Sequence, residues 1–454
     1  MRFVTLLLVV LAPAWFPAAA PAAPPAERPN ILFILADDLG YGDLGCYGQQ
    51  RIATPRLDRL AREGMRFTQA YAGSTVCAPS RCALMTGRHT GHCRVRGNAL
   101  VPLEPEDVTV AEVLRSAGYR TGIVGKWGLG EPDTTGLPNR QGFDTWFGYL
   151  NQAHAHDYFP QYLWRNTERV ELAGNQGTAQ GDYTPDLMER EAVAFLRQQT
   201  AREPFFLYLA LTLPHANNEL GRETGNGMEI PDAGAYRDEP WPAPQRNHAA
   251  MITRLDTIVG AVLDTLAEQG LAENTIVFFT SDNGPHQEGG ADPKFFQSSG
   301  PLRGIKRDLY EGGIRVPLLV RWPGHIAASS TSDLPTAFWD FLPTAAELAS
   351  ATTPADVDGM SILPTLLGAE RAGRAQPQRD YLYWEFHERG TLQAIRSGDW
   401  KVVRRRGGKV ELYDLATDPG ESRNVAAAQP AVVARLEQLL DSARTDSPHW
   451  PIKK

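Results

Sequence analysis

The chain has 454 residues, of which 42% are hydrophobic, 22% charged and 9% aromatic. This composition is typical of globular proteins, and it excludes a wholly disordered, collagen-like or disulfide-scaffold protein. The net charge of −8 at pH 7 argues against a nucleic-acid-binding protein, because such proteins usually present a basic surface. Any anion-binding site must therefore be a local basic cluster in an acidic protein.

Residues 1–23 have the pattern of a secretory signal peptide. Arg2 supplies the positive start, Phe3–Ala12 the apolar core, and small residues follow at which cleavage occurs. The apolar run is too short to span a bilayer, and no other stretch of the chain is long and apolar enough. We therefore predict an exported protein, periplasmic or secreted, without a membrane span.

From residue 30 to about residue 350, apolar runs typical of strands alternate with helical patterns. The predicted strands are Ile31–Ala36, Tyr119–Val124, Phe205–Leu213, Thr275–Thr280 and Arg315–Arg321. The predicted helices are Pro55 to just before Gly64, Thr109–Ala117, Thr184 to about Gln199, about Asn247 to Gln269, and Phe338–Ser350. This alternation predicts an α/β fold in which a large, mainly parallel sheet is sandwiched by helices. In such folds the site lies outside the carboxyl ends of the strands.

The last part of the chain has a different pattern. Residues 368–380 are short of large apolar side chains and are interpreted as a linker. Three predicted strands and a closing helix follow, over Tyr381–Phe386, Ala394–Arg404, Val410–Leu415 and Val432–Ala443. We therefore predict a large α/β domain over residues 24–370 and a small C-terminal α+β domain, built on an antiparallel sheet, over residues 371–454.

Carboxylates and an amide follow two of the predicted strands directly. Asp37 and Asp38 come after the first strand, and Asp282 and Asn283 come after the Thr275–Thr280 strand. If these strand ends meet, the side chains form an all-oxygen set, which suits Ca²⁺ or Mg²⁺ better than zinc. The alternative is that they cap their loops, as Asp and Asn often do.

Cys77 begins a predicted helix, because Pro79 favours a first helical turn and Gly87 marks the helix end. The free N–H groups of a helix start favour an anion, and Arg81 lies four residues later on the same face. A nucleophile-type residue and a guanidinium therefore converge. The alternative is that Cys77 is half of a disulfide, since four cysteines in an exported chain allow three pairings. The other three are Cys46, Cys82 and Cys93.

The chain resembles the formylglycine-dependent type I sulfatases, the arylsulfatase family within the alkaline-phosphatase-like superfamily. The resemblance spans nearly the whole chain after the signal segment, and its motifs occur in the family's order. They are Asn30–Gly48, Cys77–Arg88 (CAPSRCALMTGR), Gly125–Gly130, Leu213–His215, Ser281–Gly284 and Leu302–Arg315. The resemblance implies hydrolysis of sulfate esters, on sulfated carbohydrates or aryl sulfates.

The resemblance also implies a modified nucleophile and a metal. A separate maturation enzyme would oxidise Cys77 to Cα-formylglycine, whose hydrate attacks sulfur and later re-forms the aldehyde as sulfate leaves. A divalent cation, Ca²⁺ with Mg²⁺ as the alternative, would polarise the sulfate oxygens. Its ligands by resemblance are Asp37, Asp38, Asp282 and Asn283, together with the modified Cys77.

The remaining site residues follow from the same resemblance. Arg81 is expected to hold the aldehyde hydrate, and Lys126 and Lys306 to contact the sulfate. His215 is expected beside the bridging oxygen as a proton donor for the leaving group. Two further residues have smaller expected roles: His156 at the substrate rim and Arg88 supporting the nucleophile's loop. The chain departs from the family at Gly128, where many members carry a histidine.

Two other functions fit the same motifs. A phosphonate monoester or phosphodiester hydrolase of this superfamily would use the same nucleophile, because diesters carry a single negative charge as sulfate esters do. A non-catalytic glycan-binding relative would keep an unmodified thiol at Cys77. Parallel assays on the two ester classes and mass spectrometry of the Cys77 peptide distinguish these alternatives.

Overall fold

The structure is a computed structural model that describes residues 28–388, 390–405 and 407–452. The predicted signal segment, 1–23, lies outside the described residues. Within them the chain forms one large sheet with helices on both faces and a separate antiparallel sheet of four strands. The predicted fold class is confirmed. No helix in the described ranges is both long and apolar enough to cross a membrane.

The large sheet is parallel at its centre. Its strands in chain order are β1 (Asn30–Ala36), β2 (Met65–Tyr71), β3 (Arg120–Lys126), β4 (Thr145–Tyr149), β5 (Tyr162–Arg165), β6 (Glu168–Glu171), β7 (Phe205–Ala210), β8 (Thr275–Ser281), β9 (Arg315–Arg321), β10 (Ser330–Ser332) and β11 (Thr336–Ala337). The central order is β8-β1-β7-β3-β4, all parallel. Antiparallel strands extend it on both sides, β9 and β2 beyond β8, and β5 and β6 beyond β4.

Helices cover both faces of this sheet, and the last helix of the chain packs on the small sheet instead. They are α1 (Pro55–Glu63), α2 (Cys77–Thr86), α3 (Val110–Ser116), α4 (Thr184–Arg197), α5 (Asn218–Thr224), α6 (Ala243–Glu268), α7 (Glu311–Ile314), α8 (Phe341–Leu348), α9 (Leu363–Leu367), α10 (Ala369–Ala372) and α11 (Pro430–Ser442). Side chains of β1 alternate between two cores: Leu32 and Ile34 pack with α1, α4 and α6, while Ile31 and Phe33 pack with α2, α3 and α8. This two-sided burial is why β1 is apolar at every position.

The structure differs from the sequence interpretation at the cysteines and at several strands, including β4, which was not predicted. The predicted strand Phe205–Leu213 is shorter, because β7 ends at Ala210 and the chain then turns, with the His215 N–H donating to the Thr212 carbonyl. Strand β2 was not predicted, since its half-buried sequence lacks a continuous apolar run. The four cysteines are free thiols, so the structure contains none of the three disulfide pairings.

The small sheet has four strands, where three were predicted. They are β12 (Leu382–Phe386), β13 (Leu392–Ser397), β14 (Trp400–Arg405) and β15 (Val410–Asp414), paired antiparallel in this order. The predicted strand Ala394–Arg404 is in fact the hairpin of β13 and β14. Its turn lies at Gly398, whose φ of +59° suits glycine. Helix α11 packs on one face of this sheet, through Leu436 and Leu440. The domain boundary at residue 370 stays a prediction.

The other face of the small sheet packs against the large part of the molecule. Trp384 and Phe386 share a core with Tyr71 and Val76, just before the helix that begins at Cys77. A buried ionic cluster joins the two parts at the same place. The ammonium nitrogen of Lys401 lies 2.9 Å from carboxylate oxygens of both Glu311 and Glu421, and all three side chains are fully buried.

Candidate active site

The carboxyl ends of the neighbouring parallel strands bring the predicted metal ligands together. Asp37 and Asp38 follow β1, and Asp282 and Asn283 follow β8, which pairs with β1 along its whole length. The Asp38 N–H donates to Asp282 Oδ1 at 3.1 Å, and Asn283 Nδ2 donates to Asp38 Oδ1 at 2.7 Å. All four side chains are buried. The structure therefore builds one carboxylate cluster from two segments 244 residues apart.

Cys77 lies against this cluster. It is the first residue of α2, and its thiol donates to Asp37 Oδ1 at 3.3 Å. Every residue of α2 is buried, Cys77 included. Burial and the neighbouring Asp37 carboxylate raise the pKa of the Cys77 thiol well above its usual value. The unmodified side chain is therefore a neutral thiol at physiological pH, and it is not an activated thiolate nucleophile.

Arg81 binds the carboxylates, one turn further along α2. Its guanidinium donates to Asp282 Oδ2 at 2.8 Å and to the backbone carbonyl of Lys126 at 2.6 Å, and it lies 3.4 Å from Asp37 Oδ2. Arg81 thereby ties the nucleophile's helix to the ends of both β8 and β3. The expected contact of Arg81 with an aldehyde hydrate on Cys77 stays a prediction.

Two lysines complete the charge balance. Lys126, the last residue of β3, places its ammonium 2.7 Å from Asp37 Oδ2, and Lys306 places its own 2.8 Å from Asp38 Oδ2. Three buried carboxylates thus face three buried cations. Burial raises the pKa of Asp37, but Lys126 and the other cations outweigh it and hold the value below its usual range. Burial and Asp37 raise the pKa of Asp282 to about 7.

The donor set fits a hard divalent cation. Asn283 Oδ1 is buried and has no hydrogen-bond partner, although the amide nitrogen of the same side chain is fully used. Ligand atoms of Asp37, Asp38, Cys77 and His215 also lie within 4.8 Å of one another. An oxygen without a partner beside clustered carboxylates is the arrangement that Ca²⁺ or Mg²⁺ satisfies.

His215 forms a hydrogen-bonded pair with Lys306. Its Nδ1 donates to the Ala216 carbonyl at 2.7 Å, so the neutral ring accepts at Nε2, which lies 3.1 Å from the Lys306 ammonium. Burial and Lys306 lower the pKa of His215 well below its usual value. In this state the transferable proton is therefore on Lys306, and His215 Nε2 is an acceptor.

Sequence reasoning missed one member of this group, Glu288. Its Oε2 lies 3.1 Å from the Lys306 ammonium, and its other oxygen accepts from Arg307 at 2.5 Å. Lys306 and the other cations outweigh burial and lower the pKa of Glu288 to about 2. The only sequence signal was its position, four residues after Gly284. A glutamate in a polar loop gives no indication of the lysine that it will contact.

The two residues with smaller expected roles lie at the edge. His156 stacks on His215, with ring centroids 4.9 Å apart, and its Nδ1 lies 2.9 Å from Glu219 Oε2. His156 thus lies beside His215, and its role at the substrate rim stays a prediction. Arg88 forms an ion pair with Asp356 and so links the loop after α2 to the segment after α8.

Comparisons with known proteins point to one family. The sulfatase family model matches residues 29–351, and a model described as N-sulphoglucosamine sulphohydrolase, C-terminal, matches residues 305–446. Human (Homo sapiens) arylsulfatase A is 36% identical, over 95% of this chain and 92% of that protein. N-acetylgalactosamine-6-sulfatase of the dog, Canis lupus familiaris, is 35% identical, over 87% of this chain and 74% of that protein.

Solved structures agree as well. The crystal structure of Ps i-CgsB in complex with k-i-k-neocarrahexaose matches with a TM-score of 0.80 and 28% identity, over 94% of this chain and 96% of that chain. The family model covers more than half of the chain, and the curated relatives match over most of its length. The chain belongs to the sulfatase family, whose members are hydrolases of sulfuric esters.

Proposed function

We propose that this protein hydrolyses sulfate esters at the buried cluster around Cys77. The observation that carries the proposal is the convergence of the Cys77 side chain with three carboxylates, Arg81 and two lysines at the ends of parallel strands. A site with this balance suits a cation together with a singly charged anionic ester. Neither group alone would keep so many buried charges compensated.

Two groups that the family implies complete the chemistry. When present, a formylglycine made from Cys77 supplies a hydrated aldehyde as nucleophile, and a divalent cation acidifies it and polarises the sulfate. Asp37, Asp38, Asp282 and Asn283 would hold the cation, and Ca²⁺ is the ion we propose. The buried thiol of Cys77 is neutral and therefore a weak nucleophile, which supports the proposal that it is modified before it acts.

The chain's own residues bind and orient the ester. The Lys126 ammonium contacts one carboxylate, that of Asp37, and has further donors for sulfate oxygens. The Lys306 ammonium contacts Asp38, Glu288 and His215, and it places a positive charge beside the bound ester. Arg81 fixes the helix that carries the nucleophile, and Glu288 holds Lys306 in place. The Lys306–His215 pair holds the proton that a departing sugar alkoxide needs, with His156 beside it at the rim.

The proposed substrates are sulfated carbohydrates. Curated relatives include N-acetylgalactosamine-6-sulfatases, and one structural neighbour was solved with a neocarrahexaose. The proposed setting is periplasmic or secreted, which rests on the signal-like segment at residues 1–23. A maturation enzyme that oxidises Cys77 is the proposed partner.

The test is a panel of sulfated and desulfated glycans, with nitrophenyl sulfate and a phosphate diester measured in parallel. Protein made together with a maturation enzyme should show the mass of formylglycine at Cys77 and release sulfate. Cys77→Ala should abolish turnover and keep the fold, because α2 retains Pro79 in its first turn. Faster cleavage of the diester than of every sulfate ester, or full activity with an intact Cys77 thiol, would refute the proposal.

A further inference from the structure

An amide fills the space beside Arg81 that Gly128 leaves open. Gly128 follows β3 with a φ of +81°, and its N–H donates to the Leu150 carbonyl at 2.8 Å, which brings the segment after β4 alongside. A Cβ on Gly128 would lie 2.1 Å from Gln152 Nε2 and 3.9 Å from Arg81 Cδ. The carboxamide of Gln152 therefore occupies the place of a side chain at position 128.

This carboxamide has no partner among the residues that the structure describes. Both Gln152 Nε2 and Gln152 Oε1 are buried, and neither makes a hydrogen bond to another described residue. Among the described Asn and Gln side chains whose two polar atoms are both buried, it is the only one left unpaired at both. An unsatisfied buried amide destabilises a fold, so its presence calls for a reason other than stability.

The surroundings of Gln152 indicate that reason. Gln152 and Gly128 line a small cavity with Ala78 and Asn98. Ala78 directly follows the nucleophile position, and its N–H is already paired with Asn98 Oδ1 at 3.0 Å. The cavity thus adjoins the first turn of α2, where Cys77 lies. The amide of Gln152 is free to bind a ligand held at that turn.

We propose that Gln152 is a further substrate-binding residue, whose carboxamide hydrogen-bonds the sulfuryl group of an ester held at Cys77. This inference rests on the proposed function and adds a donor to it. Lys126 and Lys306 approach the site from the carboxylate side, whereas Gln152 approaches from the side of Arg81 and Gly128. A carboxamide donates without titrating, so the contact holds at every pH of interest.

The test compares Gln152→Leu and Gln152→Glu with the unchanged protein. Losing a hydrogen bond to an anion should lower kcat/KM for a sulfate ester about 10- to 100-fold in Gln152→Leu. Gln152→Glu keeps the shape of the side chain but introduces a negative charge, so it should lower kcat/KM more than Gln152→Leu does. Binding of inorganic sulfate, measured by calorimetry, should weaken in the same order. The melting temperature of Gln152→Leu should stay level or rise, because an unpaired amide is removed.

Gln393→Leu is the matched control. Gln393 lies in the small sheet, and its amide is paired at both ends, to Tyr383 at 2.8 Å and Arg404 at 2.7 Å. Its loss should lower the melting temperature and leave kcat/KM unchanged. A lowered melting temperature in Gln152→Leu, or an unchanged kcat/KM with undiminished sulfate binding, would overturn the inference and leave the proposed function standing. An unchanged protein that neither cleaves sulfate esters nor binds sulfate would overturn both.

Discussion

Replacing Lys401 with methionine should destabilise the contact between the small sheet and the rest of the molecule. Methionine matches the length of the lysine stem but removes the charge between Glu311 and Glu421. Glu311 keeps the guanidinium of Arg315 at 3.3 Å, and Glu421 keeps only the backbone N–H of Glu311. Lys401→Met therefore leaves Glu421 as a buried carboxylate without a cation.

The magnitude follows from this geometry. Removing one partner of a buried ion pair costs about 3–5 kcal/mol of stability. Burial raises the pKa of Glu421 to about 7 even with Lys401 present. In Lys401→Met this carboxyl can therefore take up a proton, which reduces the destabilisation by the unpaired charge. We therefore expect a loss of about 3 kcal/mol at pH 8. Because the pKa of Glu421 is higher in the folded protein than in the unfolded chain, its protonation stabilises the fold at low pH, and this stabilisation is lost as the pH rises. The stability lost in Lys401→Met should therefore be smaller at pH 5, where Glu421 is protonated, than at pH 8.

Urea unfolding at both pH values measures the effect. Arg237→Met is the control, because the 2.7 Å pair of Arg237 with Asp232 is exposed to solvent and its loss should change stability little. Lys401→Met combined with Glu421→Gln should recover part of the lost stability, since the uncompensated charge is gone. A Lys401→Met protein as stable as the Arg237→Met control, at both pH values, would refute the reasoning.

Three further predictions concern the site and the pH dependence of folding. Exhaustive chelation should abolish sulfate release and lower the melting temperature, and Ca²⁺ should restore both; full activity in metal-free protein would contradict the assigned ligands. His215→Ala should reduce kcat/KM far more for a sugar sulfate than for nitrophenyl sulfate, by ~10²–10⁴-fold, and equal losses would show a binding role. Burial lowers the pKa of His89 to about 4, so the unfolded chain binds more protons there. In urea titrations the unchanged protein should therefore lose about 2 kcal/mol of stability relative to His89→Gln between pH 7 and pH 5. A difference in stability between the two proteins that stays constant over this range would contradict the prediction.

The framework of the fold could be predicted from local patterns. The five predicted strands and the helices between them occur in the structure because continuous apolar runs and Pro and Gly at helix ends are local signals. The hairpin of β13 and β14 was interpreted as one strand because its turn is short, at Gly398. Strands β5 and β6 have four residues each, and β6 at the sheet edge carries exposed glutamates, so neither has an apolar run long enough to reveal it.

The site could be predicted where residues follow strand ends, and not where partners come from loops. The convergence of Asp37 with Asp282 follows from two neighbouring parallel strands. The contact of Glu288 with Lys306 and the unpaired amide of Gln152 depend on loop conformations that no periodic pattern describes. The neutral state of His215 is likewise a result of burial beside an ammonium, which only the assembled structure defines.

The complete burial of α2 has a consequence for the timing of maturation. Cys77 is 2% exposed, and every residue of the helix that carries it is buried. The maturation enzyme of the proposed function would need access to Cys77, which is buried in the folded protein. Under that proposal, oxidation would precede folding, and its rate would compete with the rate at which α2 becomes buried. The fraction of active molecules would then be set during folding, and later exposure of the folded protein to the same enzyme would not increase it.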